Sequence, residues 1–177
     1  VVSNKMDAYG LERARQAEVP AMLLEKAREQ DRHAYDARLA QMVAAYQPDW
    51  VVLAGWMRIL TSAFLDRFPN RVITLHQALP GTFPGTHAIE RAYEAWQRGE
   101  IDKTGVMVHL VPDEGVDAGP VLGMRKIIFR PHESLEKFEV RIHKIEHDLL
   151  VETLKNVLTP KDTPSYPKGK EHEGKPE

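Results

Sequence analysis

Arg71-Val-Ile-Thr-Leu-His-Gln-Ala-Leu-Pro-Gly-Thr-Phe-Pro-Gly-Thr-His87 is the stretch on which the reading of this chain turns. A β-branched, apolar run ends at His76, and a loop stiffened by Pro80 and Pro84 and bent at Gly81 and Gly85 follows it. Such a run reads as a strand. Open α/β sheets hold their ligands at the carboxyl ends of their strands, so His76 stands where a site belongs. A second irregular segment, Asp113-Glu-Gly-Val-Asp117-Ala-Gly-Pro120, lies downstream. Together the two point to a His–Asp pair carried on two loops, an arrangement suited to acid–base chemistry.

Working outward, the elements alternate. Val1–Ser3 reads as the end of a strand, Asp7–Ala17 as a helix, and Pro20–Leu24 as a short apolar run. Asp31 caps a helix to Tyr46, with Tyr35, Leu39, Met42 and Val43 at helical spacing. Trp50–Ala54 is continuously apolar, as a strand buried on both faces would be. A short helix over Thr61–Phe68 stops at Pro69, and a further helix over His87–Arg98 ends at Gly99. Gly105–Val111 and Pro120–Phe129 are strands joined by a short loop, which predicts an antiparallel hairpin. Ser134 caps a long final helix to about Leu158, without the acidic partner of a capping box because Lys137 stands there. This alternation predicts an α/β fold: a Rossmann-like, mostly parallel sheet flanked by helices, with a C-terminal hairpin. Residues 1–158 form the expected domain. From 159 to 177 the composition turns to Pro, Lys, Glu and Gly, and a disordered tail is expected.

Among the 177 residues, 24 basic and 26 acidic side chains give a net charge of −2. That balance argues against bulk nucleic-acid binding. No run is long enough to span a bilayer. The chain has no cysteine, so disulfides and cysteine–zinc sites are excluded and a reducing, cytoplasmic location is expected. No Gly-rich dinucleotide fingerprint and no P-loop occur.

Each chemical candidate has a plain structural alternative. His76 can be a strand-end histidine bonded to a backbone carbonyl, although rigid irregular backbone beside it favours a site. Asp117 can be a turn aspartate bonding its own backbone. If the two meet, the carboxylate orients the imidazole and raises its pKa, so that it can donate a proton near neutral pH. His109 alternates with Val108 and Leu110 and reads as a satisfied core histidine. His87 reads as a helix cap. His143-Lys-Ile-Glu146-His147 matches an inverted zincin pattern, but nothing downstream offers a third ligand, and an amphipathic helix produces the string readily. No metal is expected. Gly55-Trp-Met-Arg-Ile-Leu60 reads either as core packing or as the wall of an apolar pocket.

Four motifs carry a resemblance that spans Val1 to about Leu158. They are Ser3-Asn-Lys-Met-Asp-Ala-Tyr-Gly-Leu-Glu-Arg-Ala14, Val52-Leu-Ala-Gly-Trp-Met-Arg-Ile-Leu60, Leu75-His76 with Leu79-Pro-Gly-Thr-Phe-Pro-Gly85, and Gly105-Val-Met-Val-His109 with Val116-Asp-Ala-Gly-Pro120. In this order they resemble the phosphoribosylglycinamide formyltransferase family, folate-dependent enzymes of purine synthesis. The resemblance implies attack by the amine of glycinamide ribonucleotide on the formyl carbon of 10-formyltetrahydrofolate, the co-substrate, through a tetrahedral intermediate. It implies proton transfer by His76, with Asp117 holding it. Trp56, Met57, Arg58, Ile59 and Leu60, with Asp113, Glu114 and Val116, would line the folate pocket. Glu146, with His143 and Gln77, would meet the nucleotide. It also implies small-molecule substrates with no nucleic acid or membrane partner, in a monomer or homodimer.

The chain departs from the family pattern at three points. Thr74 stands where the family has an asparagine that steadies the oxyanion, and Gln77 where it has a proline. Losing one such donor costs about 3 kcal/mol, so weakened transfer is expected. The chain as given also begins after the family's first strand and phosphate-binding loop. A truncated sheet lacking that strand, and poor affinity for the phosphorylated substrate, are therefore expected. Hydrolysis of formyltetrahydrofolate and non-catalytic folate binding are the alternatives.

Overall fold

The computed structural model describes residues 1–27 and 29–159. The expected polar tail lies, from residue 160 on, outside the described residues. The strands are β1 (Val2–Ser3), β2 (Met22–Leu23), β3 (Val51–Leu53), β4 (Val72–His76), β5 (Lys103–Leu110) and β6 (Val121–Ile128). The helices are α1 (Tyr9–Gln16), α2 (Arg32–Ala44), α3 (Ser62–Leu65), α4 (Ala88–Gln97) and α5 (Leu135–Leu158). The expected elements are therefore all present, with ends moved by one to three residues. Asp31 caps α2 by accepting the Ala34 N–H at 2.7 Å, which satisfies one of the first-turn donors that a helix cannot pair internally.

The described strands form two sheets. β1 and β2 pair in parallel, and a second sheet runs in the order β3-β4-β5-β6. β3 and β4 are parallel, whereas β4–β5 and β5–β6 are antiparallel. The expected hairpin is the β5–β6 pair. The antiparallel share is larger than that hairpin alone, because β4 and β5 also pair antiparallel although α4 lies between them. The strand expected to be buried on both faces is also different: β3 is an outer strand of its sheet, and Val52 is 36% exposed.

Alternation along β4 distributes its side chains to two cores. Ile73 and Leu75 join Val106, Val108 and Leu110 of β5 beneath Phe138, Ile142 and Leu149 of α5 and Ile89 and Ala92 of α4. Aromatic packing reinforces this layer, with Trp96 stacked on Phe129 at 4.9 Å between centroids. Val72 points the other way, into a core with Tyr35, Leu39 and Ala40 of α2 and Phe64 and Leu65 of α3. Because Val72 and His76 are an even number of residues apart, His76 extends from this second face. The adjacent ends of β3 and β4 are both carboxyl ends, and the chain leaves them in irregular loops.

Among the described residues no helix is long and apolar enough to cross a membrane.

Candidate active site

A cleft of about 670 Å³ opens where β3 and β4 end. One wall is the segment after β3, with Trp56, Met57, Arg58, Ile59 and Leu60. The floor carries Thr74, His76 and Gln77 from the end of β4, together with His109 of β5. Asp113, Val116 and Asp117 close a third side, and His143 and Glu146 of α5 a fourth. The residues that sequence reading placed in a site are thus brought together, with one exception. Glu114 does not line the cleft; its carboxylate turns outward to Arg32 and to the Ser62 N–H, each at 3.0 Å.

His76 Nδ1 lies 3.3 Å from Asp117 Oδ2, and the histidine is only 4% exposed. Asp117 Oδ2 also accepts the Gly85 N–H at 2.8 Å, and Oδ1 faces His109 Nε2 at 3.5 Å. One carboxylate therefore joins the end of β4, the Pro/Gly loop and β5. Burial by itself would raise the Asp117 pKa, but the His109 contact, the Gly85 N–H and the His76 ring outweigh it, and the pKa falls below its ordinary value. The loop geometry that makes this possible is specific. Gly85 has φ +81°, and a side chain on Gly119 would place its Cβ 1.8 Å from the Leu110 carbonyl oxygen. Asp117 itself adopts φ 53°, a left-handed conformation that aspartate tolerates better than most residues.

The expectation for His76 itself is corrected. Burial is the largest influence and lowers its pKa below 6.5; the charge of Asp117 opposes this without reversing it. The ring is neutral at neutral pH. Nδ1 faces an acceptor-only carboxylate at 3.3 Å, which favours the tautomer protonated there and leaves Nε2 as the acceptor. His76 is built to take a proton rather than to arrive carrying one.

His109 was missed as a site residue. Its Nδ1–H donates to the Leu110 carbonyl at 2.8 Å, its Nε2 faces Asp117 Oδ1 at 3.5 Å without completing a hydrogen bond, and the ring lines the cleft. The available signal was register: β5 pairs antiparallel with β4 so that His109 stands directly across from Thr74, on the His76 face. His87 also differs from its reading. It sits at the start of α4 in a left-handed conformation without capping it, and its Nδ1 instead contacts Glu90 at 3.0 Å.

Buried polar atoms normally find partners. Among the described residues six buried side-chain atoms have none, and four of them, Trp56 Nε1, His76 Nε2, His109 Nε2 and Glu146 Oε2, belong to residues that line the cleft. Such a concentration of unpaired groups in one apolar-walled cleft is what a polar ligand would satisfy. On α5, Glu146 Oε1 contacts His143 Nδ1 at 3.2 Å, with His147 Nε2 at 3.9 Å. Among the described residues no cluster of three or more His, Cys, Asp or Glu is placed to hold a metal ion.

A helix-flanked α/β sheet with a buried His–Asp pair at its strand ends defines the class: the chain belongs to the formyl transferase family, whose model matches residues 1–154. Within that family it is similar to phosphoribosylglycinamide formyltransferase of Dictyostelium discoideum, at 42% identity over 172 residues covering 90% of this chain and 83% of that protein. The enzyme of that name from Escherichia coli K12 is 40% identical over 147 residues, covering 83% of this chain and 67% of its own length. Among solved structures, phosphoribosylglycinamide formyltransferase from Streptococcus pneumoniae TIGR4 superposes with a TM-score of 0.83 at 34% identity, covering 90% of this chain and 86% of that one. Glycinamide ribonucleotide transformylase 1 from Geobacillus kaustophilus gives 0.81 at 34% identity, with 89% and 81% covered.

Proposed function

We propose that residues 1–158 form one formyltransferase domain that moves the formyl group of 10-formyltetrahydrofolate to the primary amine of glycinamide ribonucleotide, a cytoplasmic step of purine synthesis. The observation that carries the reading is the buried His76–Asp117 contact at 3.3 Å beside an apolar cleft. The folate co-substrate would supply the formyl carbon. It fits the cleft because Trp56, Met57, Ile59, Leu60 and Val116 offer an apolar wall for a flat ring system, with the unpaired Trp56 Nε1 and Asp113 nearby. Gln77, His143 and Glu146 line the remaining side, where the unpaired Glu146 Oε2 can accept a hydroxyl of the nucleotide.

The neutral His76 Nε2 accepts the proton that the attacking amine releases and returns it to the folate nitrogen as that nitrogen's bond to the formyl carbon breaks, so that tetrahydrofolate leaves and the ring is neutral again. Asp117 holds the ring through Nδ1 and stabilises the imidazolium while it exists, which general-base catalysis requires. Thr74 supplies a hydroxyl at the position from which a developing oxyanion would be met. Its β-branched side chain is stiffer than an amide-bearing one and reaches less far, so this donor is the weak part of the site.

The test incubates purified protein with both substrates and identifies products by mass spectrometry. Formylated nucleotide and tetrahydrofolate in equal amounts are expected. Formate released without nucleotide would replace this reading with hydrolysis, and folate affinity without formyl loss would replace it with a binding domain.

A further inference from the structure

We propose that Glu114 is a positioning residue that clamps the Asp117-bearing loop to the opposite wall of the cleft and so sets the Asp117–His76 geometry; this rests on the formyl-transfer reading of the site. Glu114 faces away from the cleft, yet both its oxygens are engaged. Oε1 accepts the Ser62 N–H at 3.0 Å and Oε2 contacts Arg32 Nη2 at 3.0 Å. Ser62 opens α3, one residue beyond the Leu60–Thr61 end of the Trp56-bearing wall. Arg32 opens α2, whose Tyr35 ring lies under the Arg58 guanidinium of that wall at 5.5 Å. A single side chain thus ties the loop over residues 112–119 to both elements that support the facing wall.

The rest of the loop cannot supply this. Asp113 Oδ1 accepts the Gly115 N–H at 2.7 Å, which shapes the loop only locally. Among the described residues, Glu114 and Asp117 are the loop side chains that bond outside it, and Asp117 is the group to be positioned. Asp117 is held at φ 53°, a left-handed conformation that aspartate tolerates at some cost, and the contacts around it help to keep it there. Removing the outward anchor leaves that geometry to the Asp117 contacts alone. The ionisable groups facing His76 are Asp117 and His109, and Asp117 is the one whose backbone the clamp controls.

Three variants separate the contributions. Glu114→Ala removes both bonds. Glu114→Gln keeps an oxygen for the Ser62 N–H. Ser62→Pro deletes that N–H and leaves Glu114 intact; proline is well suited to the first position of a helix, and Thr61 before it is already extended. Glu114→Ala and Ser62→Pro should each lower kcat about tenfold to a hundredfold, and each should move the His76 titration midpoint, followed by NMR, away from wild type. Glu114→Gln should restore both. Wild-type kcat together with wild-type His76 titration in Glu114→Ala and Ser62→Pro would overturn the proposal. A wild-type protein that forms no formylated nucleotide, with the His76 titration still displaced in these variants, would instead overturn the formyl-transfer reading and leave the clamp standing.

Discussion

At the scale of single residues, the site turns on a competition at His76 between burial and a neighbouring charge. Burial wins, and the pKa lies below 6.5. The catalytically useful neutral ring is therefore present at and above neutral pH and lost on acidification. The kcat/KM profile should show one acidic limb below pH 6.5, and a loss of rate setting in above that value would contradict the assignment. Stability follows the same sign. Because the folded state resists protonating His76, the unfolded chain binds the extra proton between pH 6.5 and the lower folded value, and the protein weakens across that window. Asp117, with its pKa lowered, contributes stability above 3.8 that is lost as pH falls further. Asp117→Asn keeps the shape and removes the charge, so kcat/KM should fall by about two to four orders of magnitude, measured beside a thermal melt to establish that the fold persists. Thr74→Asn should act oppositely and raise turnover by about a hundredfold, the worth of one oxyanion donor. Unchanged turnover would remove the oxyanion role given to position 74.

At the scale of elements, two loops determine whether these side chains meet. The Pro/Gly loop after β4 is fastened by Arg91, whose Nη2 donates to the Phe83 and Pro84 carbonyls at 2.8 and 2.7 Å. That leaves the Gly85 N–H free to reach Asp117 at 2.8 Å. The second loop closes against the Leu110 carbonyl at Gly119, where no Cβ fits. Gly119→Ala should cost about 1–3 kcal/mol by overpacking and shift Asp117 as well. A urea titration and a rate assay on the same sample will show whether the stability and rate losses go together.

At the scale of the whole molecule, the cleft exists because two cores, one on either face of the β3–β6 sheet, hold the carboxyl ends of β3 and β4 side by side. Phe138 is fully buried at the centre of the α5 layer, in ring contact with Phe129 and Tyr93. Phe138→Ala should lower stability by about 3–5 kcal/mol, read from chemical denaturation, while the cleft residues remain in place. Much of this was open to sequence reading. The order of strands and helices follows from hydrophobic period and from punctuation such as Asp31, Pro69 and Gly99, all local properties. His76 and Asp117 could be nominated because each stands beside irregular Pro- and Gly-rich backbone. The meeting of those two side chains, the outer position of β3, the antiparallel β4–β5 pairing that carries His109 across to Thr74, and the outward turn of Glu114 were settled by tertiary structure alone. So was the sign of the His76 pKa shift. Local pattern records which residues want to be buried or bent, but strand register and the depth of burial depend on contacts between segments far apart in the chain, and those exist only once it has folded.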